Sequence, residues 1–248
     1  MTDSGDQRID AEERAAVERL LRQGADPGVI TSYGSHPDQV LEVFGETGPT
    51  VVFIHGGYFR STTDRTHARP LARALAREGM RVVLLEYRRV PGDPQAAIDD
   101  LDRFESQLTE PVLWAGHSAG GMLALTRAYN RKAAVLALAP VADLARASRL
   151  HLGAGAVTTW MGGTPEQQPS RYADLNPQLH LPPNPPDVLL VHGTDDQTVP
   201  VALSQDSPAE ALVLPHTHHF DLIDPESEKW PEIMELVRSA AGRLVAAD

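Results

Sequence analysis

Residues 116–120 read Gly-His-Ser-Ala-Gly, a pattern that can carry nucleophilic chemistry. The serine, Ser118, stands between an apolar run and a helical pattern, which indicates a sharp turn from strand to helix that projects its hydroxyl. Only small residues at Gly116 and Gly120 let the strand and helix approach so closely. The pattern therefore predicts that Ser118 attacks a carbonyl carbon; a plain glycine-rich turn is the alternative.

A second glycine pair follows an apolar run upstream, where residues 55–58 read His-Gly-Gly-Tyr. Backbone N–H groups at Gly56 and Gly57, joined by that of Ala119, could stabilise the negative charge that develops on a reacting carbonyl oxygen. Glycine is needed because a side chain would keep the backbone away from the substrate. We predict an oxyanion hole from these three residues; a turn that merely ends the strand is the alternative.

Two later segments offer an acid and a base. Residues 192–200 follow an apolar run and contain Asp195 and Asp196. In the pattern H-G-x-x-D-x-x-V-P the acid stands four residues before the proline, which favours Asp196. Three histidines follow the last apolar run, namely His216, His218 and His219. The chain order is thus serine, acid, base, as in one arrangement of the Ser-His-Asp triad.

The remaining pattern shows how these groups would be positioned. Apolar runs predict strands at 50–54, 81–85, 111–115, 133–138, 187–191 and 211–214, and amphipathic spacing predicts helices at 70–77, 94–108, 118–129 and 228–247. Continuous apolar strands alternating with helices indicate a mainly parallel sheet covered on both faces. Each candidate group follows a strand at its carboxyl end, where open α/β sheets place their sites.

One segment, about 141–186, interrupts this alternation. It holds several glycines, a proline-rich end and the apolar pair Trp160 and Met161. We interpret it as an excursion outside the sheet that forms a short lid over the site, with a surface decoration as the alternative.

The N-terminal part reads as an added helix. Residues 11–22 carry apolar positions among charges, at Ala15, Val17, Leu20 and Leu21. We predict an N-terminal helical extension over residues 1–28 and a single α/β domain over 29–248, and we interpret the extension as a decoration.

Composition excludes several classes of protein. The chain has 248 residues, is 42% hydrophobic and has no cysteine, so disulfides, thiolate metal sites and a cysteine nucleophile are excluded. A net charge of -12 argues against nucleic acid or an anionic membrane as partner. The first ten residues lack a signal-peptide pattern and no apolar stretch is long enough to span a bilayer, so we expect a cytoplasmic location. No metal or cofactor motif is found, and the oligomeric state is not indicated.

These motifs together resemble the α/β-hydrolase superfamily, and within it the kynurenine formamidase (arylformamidase) branch. The matching segments are residues 32–34, 41–43, 55–59, 116–121, 192–200 and 219–223. The resemblance implies an α/β-hydrolase fold and a triad of Ser118, Asp196 and His219. Three features differ from that branch: Phe59 replaces the family's tryptophan, residues 86–91 are similar to hormone-sensitive-lipase-like esterases, and the lid is short.

Four aromatic residues fall near the predicted site, namely Tyr58, Phe59, Trp160 and Phe220. Together they predict an aromatic-lined pocket that binds a planar ring; packing beneath the loops is the alternative.

The family resemblance favours hydrolysis of an arylformamide such as N-formylkynurenine, giving formate and an aromatic amine. A broad carboxylesterase for short acyl esters is the alternative, since a serine at such a turn does not distinguish an amine from an alcohol leaving group. A noncatalytic ligand-binding protein is the third hypothesis.

Overall fold

An eight-stranded sheet lies at the centre of the structure, a computed structural model that describes residues 3–131 and 133–245. Its strands are β1 (Val29–Ser32), β2 (Val40–Phe44), β3 (Thr50–Ile54), β4 (Arg81–Leu85), β5 (Leu113–His117), β6 (Val135–Leu138), β7 (Val188–Gly193) and β8 (Glu210–Leu214). The strand order is β1-β2-β4-β3-β5-β6-β7-β8. Only β2 pairs antiparallel, with β1 and β4, and all the other pairs are parallel. The predicted, mainly parallel sheet is confirmed.

Helices cover both faces of the sheet. They are α1 (Asp3–Gln23), α2 (Arg69–Arg77), α3 (Gln95–Glu105), α4 (Ala119–Arg131), α5 (Leu144–Arg149), α6 (Leu152–Met161), α7 (Pro169–Leu175), α8 (Pro177–His180), α9 (Ala202–Gln205) and α10 (Trp230–Val245). Side chains of α3, α4 and the 141–186 segment pack into the core on one face, and those of α1, α2 and α10 into the core on the other. The sequence predicts the terminal helix over 228–247, of which residues 246 and 247 lie outside the described residues.

The central strands are buried on both faces, which explains their uninterrupted apolar sequences. In β3, Val52 and Ile54 belong to one core while Val51 and Phe53 belong to the other. Successive side chains of a strand point to opposite faces, so a strand covered on both sides needs apolar residues at every position.

Two elements differ from the sequence-based expectation. The edge strand β1 is not predicted, because all four of its residues are exposed and no apolar periodicity marks it. Helix α1 packs on the domain through Ala16 and Leu20, both buried, whereas Leu21 is 46% exposed. Its inward face is therefore rotated relative to the predicted apolar set.

A very close backbone approach lies where β5 runs into α4. A Cβ atom added at Gly120 would lie 2.0 Å from the carbonyl oxygen of Ile54, and one added at Gly116 would lie 2.3 Å from that of Gly120. These distances are far below van der Waals contact, so both positions require glycine. The predicted reason for the two glycines is confirmed.

Replacing Gly120 should therefore be costly despite the helix propensity of alanine. Gly120→Ala is expected to lower the free energy of unfolding by about 2 kcal/mol or more, because α4 must move away from the strand edge. Gly242→Ala is the matched control: a Cβ atom added at this glycine of α10 would have no atom within 4 Å, so the change should stabilise by up to about 1 kcal/mol. Urea unfolding measures both; equal effects would contradict the close approach.

Candidate active site

Ser118 occupies the turn between β5 and α4 in a strained backbone conformation. Its φ is +58°, in the left-handed region that side chains other than glycine rarely adopt. The turn is held by hydrogen bonds: the Ser118 N–H donates to Leu138 O at 2.8 Å, and the Ser118 carbonyl accepts from Met122 N at 3.1 Å and Val141 N at 3.2 Å. Such strain costs about 1–3 kcal/mol and persists only where surrounding contacts enforce it.

The carboxylate of Asp196 is buried just beyond β7 and receives four donors. Its Oδ1 accepts from the backbone N–H groups of Thr198 at 2.9 Å and Val199 at 2.6 Å. Its Oδ2 accepts from His219 Nδ1 at 2.6 Å and lies 3.0 Å from His192 Nε2. Burial alone would raise the pKa of Asp196, but His219 and His192 offset it, so its pKa lies well below the usual range. Asp196 is therefore a carboxylate at neutral pH.

The three candidate histidines have different environments. His216 is 92% exposed. The imidazole of His218 accepts from the N–H groups of Phe220 and Asp221, each at 3.2 Å, and so caps the short 3-10 helix that follows. Of the three, His219 is the buried one that contacts Asp196. Because its Nδ1–H donates to Asp196, its Nε2 is left as the basic atom.

The two candidate acids are also distinguished by geometry. Asp195 accepts from its neighbour Thr194 at 2.7 Å, and its nearest histidine is His216 at 3.9 Å. The structure thus brings Asp196 and His219 together, and it places Asp195 outside this pair.

Two further histidines, to which the sequence analysis assigns no function, support this pair. The hydroxyl of Ser204 bonds to His192 Nδ1 at 2.7 Å, which leaves the Nε2–H of His192 to donate to Val199 O at 2.9 Å and towards Asp196. The Nε2–H of His117 donates to the carbonyl of His219 at 3.0 Å. Burial holds the pKa of His117 well below its usual value, so this imidazole is neutral. His192 is the first residue of the H-G-x-x-D pattern, and this place in the pattern is the sequence feature that could have identified it.

The backbone of the glycine loop that follows β3, at Gly56 and Gly57, lies next to Ser118. A Cβ atom added at Gly56 would lie 3.1 Å from Ser118 Cβ. At Gly57, φ is +119° and an added Cβ would lie 2.5 Å from Thr63 Cγ2, so only glycine fits. Ala119 is the first residue of α4, and the first N–H groups of a helix have no intrahelical partner. Gly56 and Ala119 thus adjoin Ser118 and Gly57 lines the same cleft, and their role as an oxyanion hole stays a prediction.

A buried ionic cluster holds this loop in place. His55 lies with Nε2 2.8 Å from Glu86 Oε1 and Nδ1 2.7 Å from Gly56 O. Glu86 also pairs with Arg89 and, at 3.2 Å, with Arg65. Burial raises the pKa of Glu86, but His55 and Arg89 outweigh it and hold that pKa below its usual range. The charged cluster therefore fixes the glycine loop from behind.

A cleft of about 220 Å³ opens onto these groups. Its lining includes Ser118, His219, Gly57, Tyr58, Phe220 and Val17. Val17 comes from α1, so the N-terminal helix contributes to the wall of the site.

The four aromatic residues predicted to bind substrate do not form one surface. Tyr58 and Phe220 line the cleft. Phe59 and Trp160 instead stack on each other, with ring centroids 3.9 Å apart and planes within 6°, and are only 3% and 1% exposed. Trp160 borders a neighbouring hollow of about 270 Å³ that also touches Tyr58. Each ring covers one face of the other, and both side chains are almost fully buried, so a substrate has little surface on which to stack against Phe59 or Trp160.

Metal sites and membrane spans are both absent from the described part of the chain. No cluster of three or more histidine, cysteine, aspartate or glutamate side chains suited to a metal ion occurs there. Nor does any of the helices described reach the length and apolarity needed to cross a membrane. The cytoplasmic location stays a prediction.

Comparisons with known proteins identify the family and the fold that this chain shares with them. The family model BD-FAE matches residues 42–209. An acetyl-hydrolase of Streptomyces hygroscopicus is 30% identical over an alignment of 151 residues, and the match covers 55% of this chain and 50% of that protein. The alignment thus spans about half the length of this curated relative.

Solved structures show the same fold at low sequence identity. Esterase B from Lactobacillus rhamnosis, with a tributyrin phosphonate inhibitor, has a TM-score of 0.72 and 21% identity, covering 100% of this chain and 98% of its own. The acetyl ester-xyloside bifunctional hydrolase from Caldicellulosiruptor lactoaceticus has a TM-score of 0.67 and 19% identity, covering 87% and 97%. The predicted α/β-hydrolase fold is confirmed.

The contacts of the two aspartates lead to a direct test. Asp196→Asn should lower kcat for p-nitrophenyl acetate by about 10⁴-fold, because an amide cannot orient and stabilise the His219 imidazolium as a carboxylate does. Asp195→Asn, the matched control, should change kcat by less than about 3-fold. A larger loss in the Asp195 variant would show that the wrong acid is assigned.

The buried His67 in the cleft wall predicts a pH-dependent stability. Burial, with a smaller contribution from His55, lowers the pKa of His67 to about 4. The unfolded chain takes up this proton near pH 6.5 and the folded chain only near pH 4, so stability is lost as the pH falls through that window, by up to about 3 kcal/mol. In urea unfolding between pH 4.5 and 7.5, His67→Gln should flatten the slope, whereas the exposed control His216→Gln should not. Parallel curves for wild type and His67→Gln would contradict the shift.

Proposed function

Because the chain belongs to the BD-FAE family, which is α/β-hydrolase-like, we propose that it is a serine carboxylesterase acting on small esters with short acyl groups. One observation carries the proposal. The Asp196–His219 hydrogen bond, at 2.6 Å, ends in the same cleft that the strained Ser118 lines. His219 and Ser118 therefore line one opening, with Asp196 buried behind His219, although the three residues follow three separate strands.

The proposed mechanism assigns each group one role. His219 Nε2 takes the hydroxyl proton as Ser118 Oγ bonds to the ester carbonyl carbon, and the Asp196 carboxylate stabilises the imidazolium that forms. The N–H groups of Ala119 and of Gly56 or Gly57 hold the oxyanion. The imidazolium then protonates the departing alcohol, leaving an acyl-serine. Water, deprotonated by His219, cleaves this acyl-serine to the acid and restores the serine.

The size of the cleft supports a small substrate. Its 220 Å³ is below the roughly 300–1,000 Å³ typical of pockets for drug-sized ligands. The curated relative is named as an acetyl-hydrolase, which agrees with a short acyl group.

Hydrolysis of an arylformamide is the second candidate. Formyl is the smallest acyl group, and Tyr58 and Phe220 both line the cleft, so one aromatic ring could be accommodated. The mutual stacking of Phe59 and Trp160 removes part of the aromatic surface that the sequence analysis assigned to it. The relatives, an acetyl-hydrolase and esterases, support esters more directly than formamides.

We also propose that the 141–186 segment covers one side of the site. A Cβ added at Gly153 would lie 2.7 Å from the Tyr58 ring, and Arg60 donates to the Gly153 carbonyl. The start of α6 therefore lies directly against the residues that separate the cleft from the neighbouring hollow.

The test compares substrates in parallel with labelling of the serine. We expect kcat/KM for p-nitrophenyl acetate and butyrate to exceed that for the octanoate by about 10-fold or more, and to exceed that for N-formylkynurenine. Ser118→Ala should lower kcat by about 10⁴-fold or more and abolish labelling by a fluorophosphonate, because nucleophile, base and acid act as one unit. The exposed control Ser35→Ala should label and turn over as the wild type does.

Each contrary outcome favours a specific alternative. Faster turnover of N-formylkynurenine than of any ester would establish the formamidase hypothesis instead. Absence of both turnover and labelling in the wild type would favour a noncatalytic ligand-binding protein.

A further inference from the structure

A buried carboxylate from α1, which the mechanism above does not use, contacts both loops of the proposed triad. Glu13 is only 3% exposed. Its Oε1 accepts from the N–H of Gln197 at 2.9 Å and from the N–H of His219 at 3.2 Å. Its Oε2 accepts from the hydroxyl of Thr198 at 2.7 Å.

We propose that Glu13 is a positioning residue for catalysis, which fixes the acid loop after β7 and the base loop after β8 relative to each other through one shared carboxylate. The inference rests on the proposed triad of Ser118, Asp196 and His219. It also gives α1 a function in the active site, where the sequence analysis interpreted this helix as a decoration.

The acid loop is divided between two carboxylates. The consecutive N–H groups of residues 197, 198 and 199 point first to Glu13 and then, twice, to Asp196. A shift of the Glu13 carboxylate would therefore move the loop that orients Asp196. The hydroxyl of Tyr58 donates to the carbonyl of Thr198, so the same loop is also tied to the glycine loop.

The base is held by its backbone from two sides. The N–H of His219 donates to Glu13, and its carbonyl accepts from His117 at 3.0 Å. The imidazole itself is oriented by Asp196. Removing Glu13 would release one of these three constraints on the base.

Losing the hydrogen bonds that Glu13 accepts is expected to displace the two loops and so to lower the catalytic rate. Truncating Glu13 removes the acceptor of two backbone donors and one hydroxyl, and it costs most at the N–H of His219, which is buried and cannot turn to water where it stands. The loops can relieve that cost by moving to admit water. A displacement of about 1 Å at a catalytic group can cost about 100-fold in rate. Glu13 borders the triad loops and does not line the cleft, so the expected loss is in kcat and not in KM.

The experiment compares Glu13→Ala, the conservative Glu13→Gln and the matched control Glu18→Ala, an exposed glutamate on the same helix. With p-nitrophenyl acetate, Glu13→Ala should lower kcat by about 10- to 100-fold with KM within about 3-fold. Fluorophosphonate should label its Ser118 more slowly by a similar factor. Glu13→Gln keeps an acceptor oxygen for the two backbone donors and should recover kcat to within about 5-fold of wild type. Glu18→Ala should behave as wild type.

A second variant approaches the contact from the other loop and covers the case in which Glu13→Ala does not fold. Thr198→Val removes only the hydroxyl that donates a hydrogen bond to Glu13. It should lower kcat by about 3- to 10-fold, and its effect should be less than additive with that of Glu13→Gln. Full additivity, or an unchanged kcat in Thr198→Val, would overturn the shared-carboxylate contact.

Labelling separates failure of this inference from failure of the proposed function. If the wild-type Ser118 is not labelled, the triad itself is wrong and the role of Glu13 falls with it. If the wild type is labelled and a folded Glu13→Ala is labelled at the same rate, the triad stands and Glu13 is only a structural residue. A Glu13→Gln variant as impaired as Glu13→Ala would likewise overturn positioning through these accepted hydrogen bonds.

Discussion

The buried negative charge of Asp196 is the constraint on which the site depends. An ionised carboxylate out of contact with water is costly unless charge and hydrogen bonds compensate it. Here two backbone N–H groups and two imidazoles do so, which bends the chain after β7 into a tight loop around the carboxylate. That loop requires His192 to bridge Asp196 and Val199, and Ser204 to complete His192. The carboxylate of Asp196 thus holds the loop around it in place and also orients the imidazole of His219.

The same principle operates on the other side of Ser118, where the Glu86 cluster supports the glycine loop through His55. Between these two charged groups the backbone is strained, with left-handed φ angles at the non-glycine residues Tyr58, Phe59 and Ser118. Strained turns of this kind need rigid neighbours. The doubly buried strands and the close β5–α4 contact supply them, because neither can move without disturbing a packed core.

A substrate can contact only the side chains of the cleft wall that are not already engaged in holding the Asp196 loop and the glycine loop in place. The cleft wall combines Tyr58 and Phe220 with Val17 from α1, and the larger aromatic pair, Phe59 and Trp160, is used to attach the 141–186 segment to the glycine loop. The four aromatic residues therefore fall into two groups: Tyr58 and Phe220 line the cleft, whereas Phe59 and Trp160 hold two segments of the chain together. The small volume of the cleft is the feature of this wall on which the proposed preference for short acyl groups rests.

The parts of the fold and site that depend on local spacing could be predicted from the amino-acid sequence. Apolar runs marked the central strands, and Gly116 and Gly120 marked the turn at Ser118, because each requirement lies within a few residues. Spacing also favoured Asp196, but choosing His219 needed a family resemblance, since three histidines share one loop. The pairing of Phe59 with Trp160 and the inward position of Glu13 become visible only in the folded chain. A glutamate on a helix is ordinarily a solvent-facing residue, and the backbone groups that donate hydrogen bonds to Glu13 lie about 180–210 positions away. Contacts at that separation leave no periodicity in the chain, so packing alone can reveal them.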